Sequence, residues 1–172
     1  LAKADHGLAL VRQEQVDLKH ELRELFDFYG ALAEEKGVRL LLEGRGMLYG
    51  DRLMLRRALS NLLSNALRHT APGMDVTVRV RDSNQTVSVC VENPGEAISE
   101  KELSRLFERF YRGEPSRSHA RGEGTGLGLA IVKSIVTAHG GKISASSSAG
   151  ENRFTLQFPL RRRLDQQQGQ PT

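Results

Sequence analysis

The sequence predicts a two-layer α/β (α+β) sandwich, with three main helices on one face of a mixed, mostly antiparallel sheet. Three observations lead there. Residues 20–36, 51–70 and 127–139 carry apolar side chains at helical spacing. Two strictly alternating runs, Val76-Thr-Val-Arg-Val80 and Val87-Ser-Val-Cys-Val91, flank a polar turn at 82–85 and mark an antiparallel hairpin with one buried face. Strands and helices do not alternate regularly along the chain, which excludes a doubly wound parallel sheet.

Composition limits the function classes. A chain of 172 residues, 38% apolar and 27% charged, suits one globular domain with its own core. No apolar run approaches the roughly 18 residues that a membrane span needs. Lys3, Asp5 and His6 interrupt the N-terminus early, so it does not read as a signal peptide. The single cysteine, Cys90, excludes an internal disulfide and a paired-cysteine metal site, and fits a reducing compartment. A net charge of +4 permits an acidic partner, yet no basic block alternates with stacking aromatics, so nucleic acid is not the expected one.

In chain order, residues 1–14 read as the end of something longer, because they open on Leu-Ala-Lys-Ala without an initiator Met. Residues 16–18 form a short strand. In the first helix Leu22, Leu25, Phe26, Tyr29, Leu32 and Ala33 recur at helical spacing, and Gly37 caps it, since glycine enters the left-handed conformation at little cost. Strands follow at 38–42 and 47–49 around a turn at 43–46. Asp51 is the N-cap of the second helix, and Ala71-Pro72-Gly73 closes it.

That second helix places Leu55, Leu59, Leu62 and Ala66 in one apolar stripe, with Asn61, Asn65 and Arg68 side by side along its edge. Asparagine amides compete for the helix backbone, so two of them one turn apart need a reason. They read either as a solvated flank or as neutral ligands that, with a cation, face a bound polyanion. The helix alone does not choose between these.

In the hairpin, alternation sends Cys90 to the face opposite the valines. Asn93-Pro94-Gly95 ends its second strand with turn chemistry, and Ser99 with Glu102 forms a capping box for a short helix carrying Leu103, Leu106, Phe107 and Phe110. Residues 113–123 hold no apolar side chain larger than alanine or proline and read as a mobile loop. Gly124, Gly126 and Gly128 then let the backbone bend close to a ligand just where the third helix begins, and the free N–H groups of that helix suit phosphate. No Gly-Lys-Ser/Thr follows, which excludes a Walker loop, and no strand leads in, which excludes a dinucleotide fingerprint. Gly140-Gly141 stops the helix, residues 142–146 and 153–158 are the last strands, and the polar tail 161–172 is expected to be disordered.

Taken together these segments resemble one family. Asn61-Leu-Leu-Ser-Asn65-Ala-Leu-Arg68-His69-Thr is similar to the N box of sensor histidine kinases, Asn93-Pro-Gly95-Glu-Ala-Ile98 to their G1 box, and Leu106-Phe-Glu-Arg-Phe-Tyr-Arg112 to their F box. Gly124-Thr-Gly-Leu-Gly128-Leu-Ala-Ile resembles the G2 box, and His139-Gly-Gly141 the glycine pair after it. The resemblance covers residues 15–160 and implies the ATP-binding catalytic domain of a two-component kinase, with the Bergerat sandwich shared with Hsp90, gyrase and MutL. Asn-Pro-Gly where the family has Asp-Asn-Gly, followed by Ile-Ser, resembles the heavy-metal (copper or silver) sensor subgroup.

The resemblance also implies an anatomy. Residues 1–14 would end the dimerisation and phosphoacceptor helices and their linker, residues 15–160 would be the catalytic domain, and 161–172 a tail. The full-length protein would be a homodimer at the cytoplasmic face of the inner membrane, and this fragment a soluble cytoplasmic monomer. The expected partners are ATP, Mg²⁺, the dimerisation domain of the same protein and a response-regulator receiver domain.

By the same resemblance Asn65 would ligate Mg²⁺ through its carbonyl oxygen, with Asn61 supporting the metal or its waters; Mg²⁺ takes few protein ligands beside phosphate oxygens. Arg68, where the family usually has lysine, and Arg112 would meet phosphate. The remaining nucleotide contacts would come from His69, Asn93, Gly95, Ile98, Gly122, Gly124, Thr125, Gly126, Leu127, Gly128 and Leu129, while Phe107 and Tyr111 would pack the base of the lid. Asn93 departs from the family's adenine-reading aspartate: its amide oxygen accepts a hydrogen bond without charge assistance, so ATP affinity or adenine selectivity would be lower. Asn152 stands where the family often has a threonine near the adenine.

Sandwich relatives that hydrolyse ATP use a glutamate one turn before the metal asparagine. Asn61 occupies that position and cannot accept a proton, so phosphoryl transfer to a protein side chain is expected instead. The acceptor motif of the family is His-Glu-Leu-Arg-Thr-Pro. His20-Glu21-Leu22-Arg23 imitates it, but Glu24-Leu25 follows and the N box comes too soon, so no phosphoacceptor is assigned in this chain. A catalytically silent nucleotide-binding scaffold and a basic nucleic-acid module stand as alternatives.

Overall fold

The computed structural model describes residue 9 and residues 12–108 and 128–160. In these the chain runs β1 (Glu14–Asp17), α1 (Leu18–Lys36), β2 (Arg39–Gly44), β3 (Met47–Gly50), α2 (Arg52–His69), β4 (Asp75–Asp82), β5 (Thr86–Pro94), α3 (Glu100–Leu103), α4 (Gly128–Ala138), β6 (Lys142–Ser148) and β7 (Glu151–Pro159). The expected mobile loop at 113–123 and the expected disordered tail at 161–172 lie outside the described residues.

Five strands form one sheet in the order β2-β4-β5-β7-β6, in which only the β2–β4 pair is parallel; β1 and β3 form a separate antiparallel pair. The alternating valines do what their pattern requires. Val76, Val78, Val80, Val87, Val89 and Val91 are buried on the inner face with Phe154, Leu156 and Phe158 of β7. Against them lie Leu55, Leu59, Leu62 and Ala66 of α2, joined by Ala58, Leu63 and Leu67, so the buried face of α2 is wider than a single stripe. Cys90 is half-buried and sits on the opposite face, as alternation requires.

On that opposite face an ion-pair chain runs across four strands. Arg79 donates to Glu43 at 2.9 Å and to Glu92 at 2.6 Å, and Arg153 donates to Glu92 at 2.9 Å. The Glu92 carboxyl is pulled down to about 2, chiefly by a hydrogen bond with Glu151, with Arg153 and Arg79 adding to it against the cost of burial. Glu151 moves the opposite way, because it holds its proton against Glu92.

Local sequence accounts for the boundaries. Asp17 caps α1 by accepting from His20 N–H at 3.2 Å, so the helix starts at Leu18, two residues before the periodicity suggests, and β1 shifts back to Glu14–Asp17. Gly37 is left-handed, with φ of 71°, and its N–H and that of Val38 satisfy the last carbonyls of α1. The short helix after Ser99 is shorter than expected. Ser99 does cap it, but the Ser104 hydroxyl donates to Lys101 O at 2.7 Å and takes the carbonyl that Arg105 N–H would use. Arg105 N–H turns to Glu102 O instead, and residues 104–107 continue as turns, with Leu106 and Phe107 packed on the core and Phe110 outside the described residues.

Candidate functional site

The site is built on α2. Asp51 caps the helix by accepting from Met54 N–H at 3.2 Å. Its own N–H donates to Nε2 of His139 at 3.0 Å, and Nδ1 of that ring donates to Ile135 O at 2.7 Å. These two bonds fix the tautomer and tie the end of α4 to the start of α2. Gly50 makes room for the ring, since a Cβ there would stand 2.5 Å from His139 Cδ2. The two helices pack together from this fastening. The 11 residues of α4 span about 16 Å, about the length of α2 from Asp51 to Asn61.

Asn61, Asn65 and Arg68 are half-buried along that flank and His69 is exposed, as the edge of an apolar stripe predicts. Neither the Asn61 nor the Asn65 amide hydrogen-bonds to another described residue. Two half-buried neutral amides one turn apart, with their oxygens unspent, fit a Mg²⁺ ion whose charge is largely met by phosphate oxygens. Of the glycine-rich bend, Gly128 and Leu129 are described, at the start of α4. Arg112, Gly122, Gly124, Thr125, Gly126 and Leu127, together with Tyr111, lie outside the described residues.

The far end of the site is at the ends of β5 and β7, where Asn93 and Asn152 are cross-strand partners, 2% and 6% exposed. Asn152 is committed. Ile98 N–H donates to Ser147 Oγ at 2.9 Å, Ser147 Oγ–H donates to Asn152 Oδ1 at 2.6 Å, and Asn152 Nδ2 donates to Glu96 O at 3.0 Å. Asn93 is not: its Nδ2 reaches only Pro94 O, at 3.2 Å. Gly95 sits between them. A Cβ there would come within 2.9 Å of Asn152 Nδ2, 3.6 Å of Asn93 Nδ2 and 3.8 Å of His69 O, so the glycine brings the end of α2 and both amides around one small space.

Of the expected site residues, Asn61, Asn65, Arg68 and His69 lie on α2, Gly128 and Leu129 open α4, which packs on α2, and Asn93, Gly95 and Ile98 lie at the end of β5 and in the loop after it, where Gly95 stands beside His69 O. Sequence reasoning missed His139 as a fastening and Ser147 as a link in the loop clamp. Neither carries a local signal: one bond spans 88 positions, and Ser147 is one of three consecutive serines. Two open surface grooves lie elsewhere, lined by Phe26, Gly30 and Leu40 and by Phe28, Leu53 and Arg57, and hold none of the expected site residues.

Residues 50–162 match the family described as histidine kinase-, DNA gyrase B- and HSP90-like ATPase. The chain is 50% identical over 162 residues to sensor histidine kinase CusS of Escherichia coli O157:H7, covering 94% of this chain and 33% of CusS. It is 44% identical over 164 residues to the probable sensor kinase SilS of Salmonella typhimurium, covering 92% of this chain and 33% of SilS. It therefore spans about a third of the length of these relatives. The fold is shared with the nucleotide-free catalytic domain of histidine kinase ThkA, with a TM-score of 0.77 at 24% identity, over 87% of this chain and 96% of that one. With Bergerat topology, a paired-asparagine helix and this match in hand, the chain belongs to the histidine kinase-, gyrase B- and HSP90-like ATPase family.

Proposed function

We propose that the chain is the ATP–Mg²⁺-binding kinase domain of a sensor histidine kinase. It delivers the γ-phosphoryl group of ATP to a histidine in a separate dimerisation domain, for onward transfer to a response-regulator aspartate. The observation that carries this is Asn61: a half-buried amide with no partner among the described residues stands one turn before Asn65, where hydrolysing sandwich relatives place a glutamate. An amide there orients a metal or its waters and cannot take a proton from an attacking water.

The chain's own residues then position and neutralise. When bound, Mg²⁺ would screen the charge of the transferring phosphoryl group. Asn65 and Asn61 would hold it by their amide oxygens, Arg68 would meet phosphate oxygens, and the first N–H groups of α4 would face the triphosphate. Asn93 and the loop it opens would hold the base. Residues 1–14 fit the exit of the dimerisation helices, residues 15–160 the catalytic unit, and 161–172 a tail. Identity with the sensor histidine kinase CusS and the probable sensor kinase SilS supports a sensor kinase as the full-length protein, which we propose to be a homodimer at the cytoplasmic face of a membrane with a heavy-metal stimulus; no helix among the described residues is long and apolar enough to cross a membrane.

The test is a labelled-ATP assay of the chain mixed with a separately prepared dimerisation domain carrying a phosphoacceptor histidine. Acid-labile label on that domain, and none on this chain, is the expected result. Label on His20, exposed in the first turn of α1 beside Glu24, would overturn it. Asn93 in place of a carboxylate favours a second reading, a silent nucleotide-binding scaffold; ATP–Mg²⁺ binding without transfer to any acceptor would establish it.

A further inference from the structure

β2 forms one edge of the five-stranded sheet and has a single neighbour, β4. Arg39 N–H donates to Met74 O at 3.1 Å, which fixes the phase of that parallel ladder. The N–H and C=O of one strand residue point to the same side, and successive residues alternate. Arg39, Leu41 and Glu43 therefore bond toward β4, while Leu40 and Leu42 turn their backbone groups away from it. No described residue hydrogen-bonds to them on that side. Side chains alternate as well. Leu40 and Leu42 pack on the core, whereas Leu41 lies half-buried on the polar outer face and outside the core cluster. Beside the edge an open groove runs between β2 and α1, lined by Phe26, Gly30, Ala33, Val38 and Leu40. A Cβ on Gly30 would meet nothing within 4 Å, so α1 leaves space there. Edge strands are commonly blunted by a central charge, a proline or a bulge. The three leucines of β2 carry none of these; its charges flank them, as Arg39 and Glu43, 70% and 57% exposed.

We infer that the β2 edge binds a second copy of this chain, strand against antiparallel strand, about a two-fold axis through Leu41. The segment Arg39-Leu-Leu-Leu-Glu43 is self-complementary in that pairing. With Leu41 opposite Leu41 of the second copy, Leu40 stands opposite Leu42, and Arg39 opposite Glu43. The residues whose backbone groups point outward then meet one another, each such pair exchanging both N–H···O bonds. Arg39 gives Nε and Nη2 to Asp75, which leaves Nη1 for Glu43 of the second copy. Glu43 accepts from Arg79 through Oε2, which leaves Oε1. Leu41 covers its counterpart on the outer face, and Leu42 of the second copy comes beside Leu40 at the groove. Sliding the pairing by two residues sets Arg39 against Arg45, or Leu41 against Arg39, so charge selects one register. An extended segment of another protein would use the same backbone groups but leaves the charge match unexplained. The groove at this edge holds none of the expected nucleotide residues, so the inference goes beyond the kinase reading and does not rest on it. It sets a weak dimer against the monomer that the sequence leads one to expect.

The experiment is sedimentation of this chain at concentrations up to about 1 mM. A reversible monomer–dimer equilibrium is expected, with a dissociation constant on the order of 100 μM for so small an interface. Arg39→Glu and Glu43→Arg each set like charges across the axis and should weaken the dimer at least about tenfold. The double variant restores opposite charges and should bring the dimer back to within about threefold of the parent. The exposed pairs lost within each chain contribute little to folding, and urea unfolding of each variant checks this. The register is read separately by cross-linking in a Cys90→Ser background. Leu41→Cys should give a disulfide-linked dimer in glutathione buffer, because facing residues of such a pair have Cα atoms about 4.5 Å apart. Arg39→Cys should not, since its counterpart lies four positions along the opposite strand, more than about 10 Å away. A chain that stays monomeric at about 1 mM overturns the inference, whether or not other extended peptides bind it. A dimer that ignores both charge reversals, or that cross-links equally at positions 39 and 41, also overturns it, since the contact then lies elsewhere. All of these outcomes leave the kinase reading standing.

Discussion

The backbone N–H of Asp51 donates to Nε2 of His139 at 3.0 Å, joining the first turn of one helix to the end of another across 88 positions of sequence. The imidazole is 6% exposed, is held from its other side by Ile135 O, and stands edge-to-face against Phe158 at 6.1 Å between ring centroids. It is the fixed point from which α2 and α4 face each other.

His139→Ala is expected to destabilise the fold by about 2–3 kcal/mol, from lost packing and from the lost acceptor of the Asp51 N–H. Urea unfolding measures the loss. Because α4 then loses its anchor on α2, ATP–Mg²⁺ affinity should fall as well, although His139 is buried and both of its ring nitrogens are engaged within the fold. A variant with unchanged midpoint and unchanged affinity would show that the fastening does not matter.

Asn65→Ala should separate binding from stability. The amide makes no hydrogen bond to another described residue, so its removal should change the unfolding free energy by less than about 1 kcal/mol. Nucleotide affinity in Mg²⁺ should fall at least about tenfold, and chelation of Mg²⁺ by EDTA should erase the difference between the variant and the parent. If the difference persists in EDTA, Asn65 acts on the nucleotide without the metal.

Gly95→Ala places a methyl 2.9 Å from Asn152 Nδ2, an atom held by its bond to Glu96 O. The clamp must shift by a few tenths of an ångström, and the loop through Ile98 shifts with it. A loss of about 1–3 kcal/mol in stability and a clear drop in nucleotide affinity are expected. Ser147→Ala, which cuts the same relay without steric conflict, should weaken binding in the same direction, read in the same titration.

Much of this was legible beforehand. Period-two alternation gave the sheet its inner face and put Cys90 on the other; helical spacing put Asn61, Asn65 and Arg68 on the flank of α2; Gly37 and Asp51 marked their caps. What escaped was non-local or competitive. Ser104 shortened the helix after Ser99 because a hydroxyl won a carbonyl from a backbone N–H, a contest that composition does not score. The Ser147–Asn152 relay needs the register of β6 against β7, which sequence periodicity alone leaves open. Arg112 and residues 122–127 of the expected site lie outside the described residues.

Acid should weaken the fold through Glu92. Its folded pKa, about 2, lies below the ordinary carboxylate value of 4.5, so the folded state favours the charged form. The resulting stability is fully present above about pH 4.5 and is lost as pH falls from there toward 2. Glu151, whose pKa is raised, acts in the opposite sense, and Glu92→Gln should flatten the net dependence. Urea midpoints of both proteins between pH 2.5 and 6 check it; parallel curves would show that Glu92 carries none of the acid sensitivity.

α4 is held twice over: His139 pins its C-terminal end to the start of α2, and Ala130, Val132, Ile135 and Val136 are buried along its length. A slide along the helix axis would break the bond to Asp51 and pull four apolar side chains out of their packing at once, so α2 and α4 behave as one rigid unit.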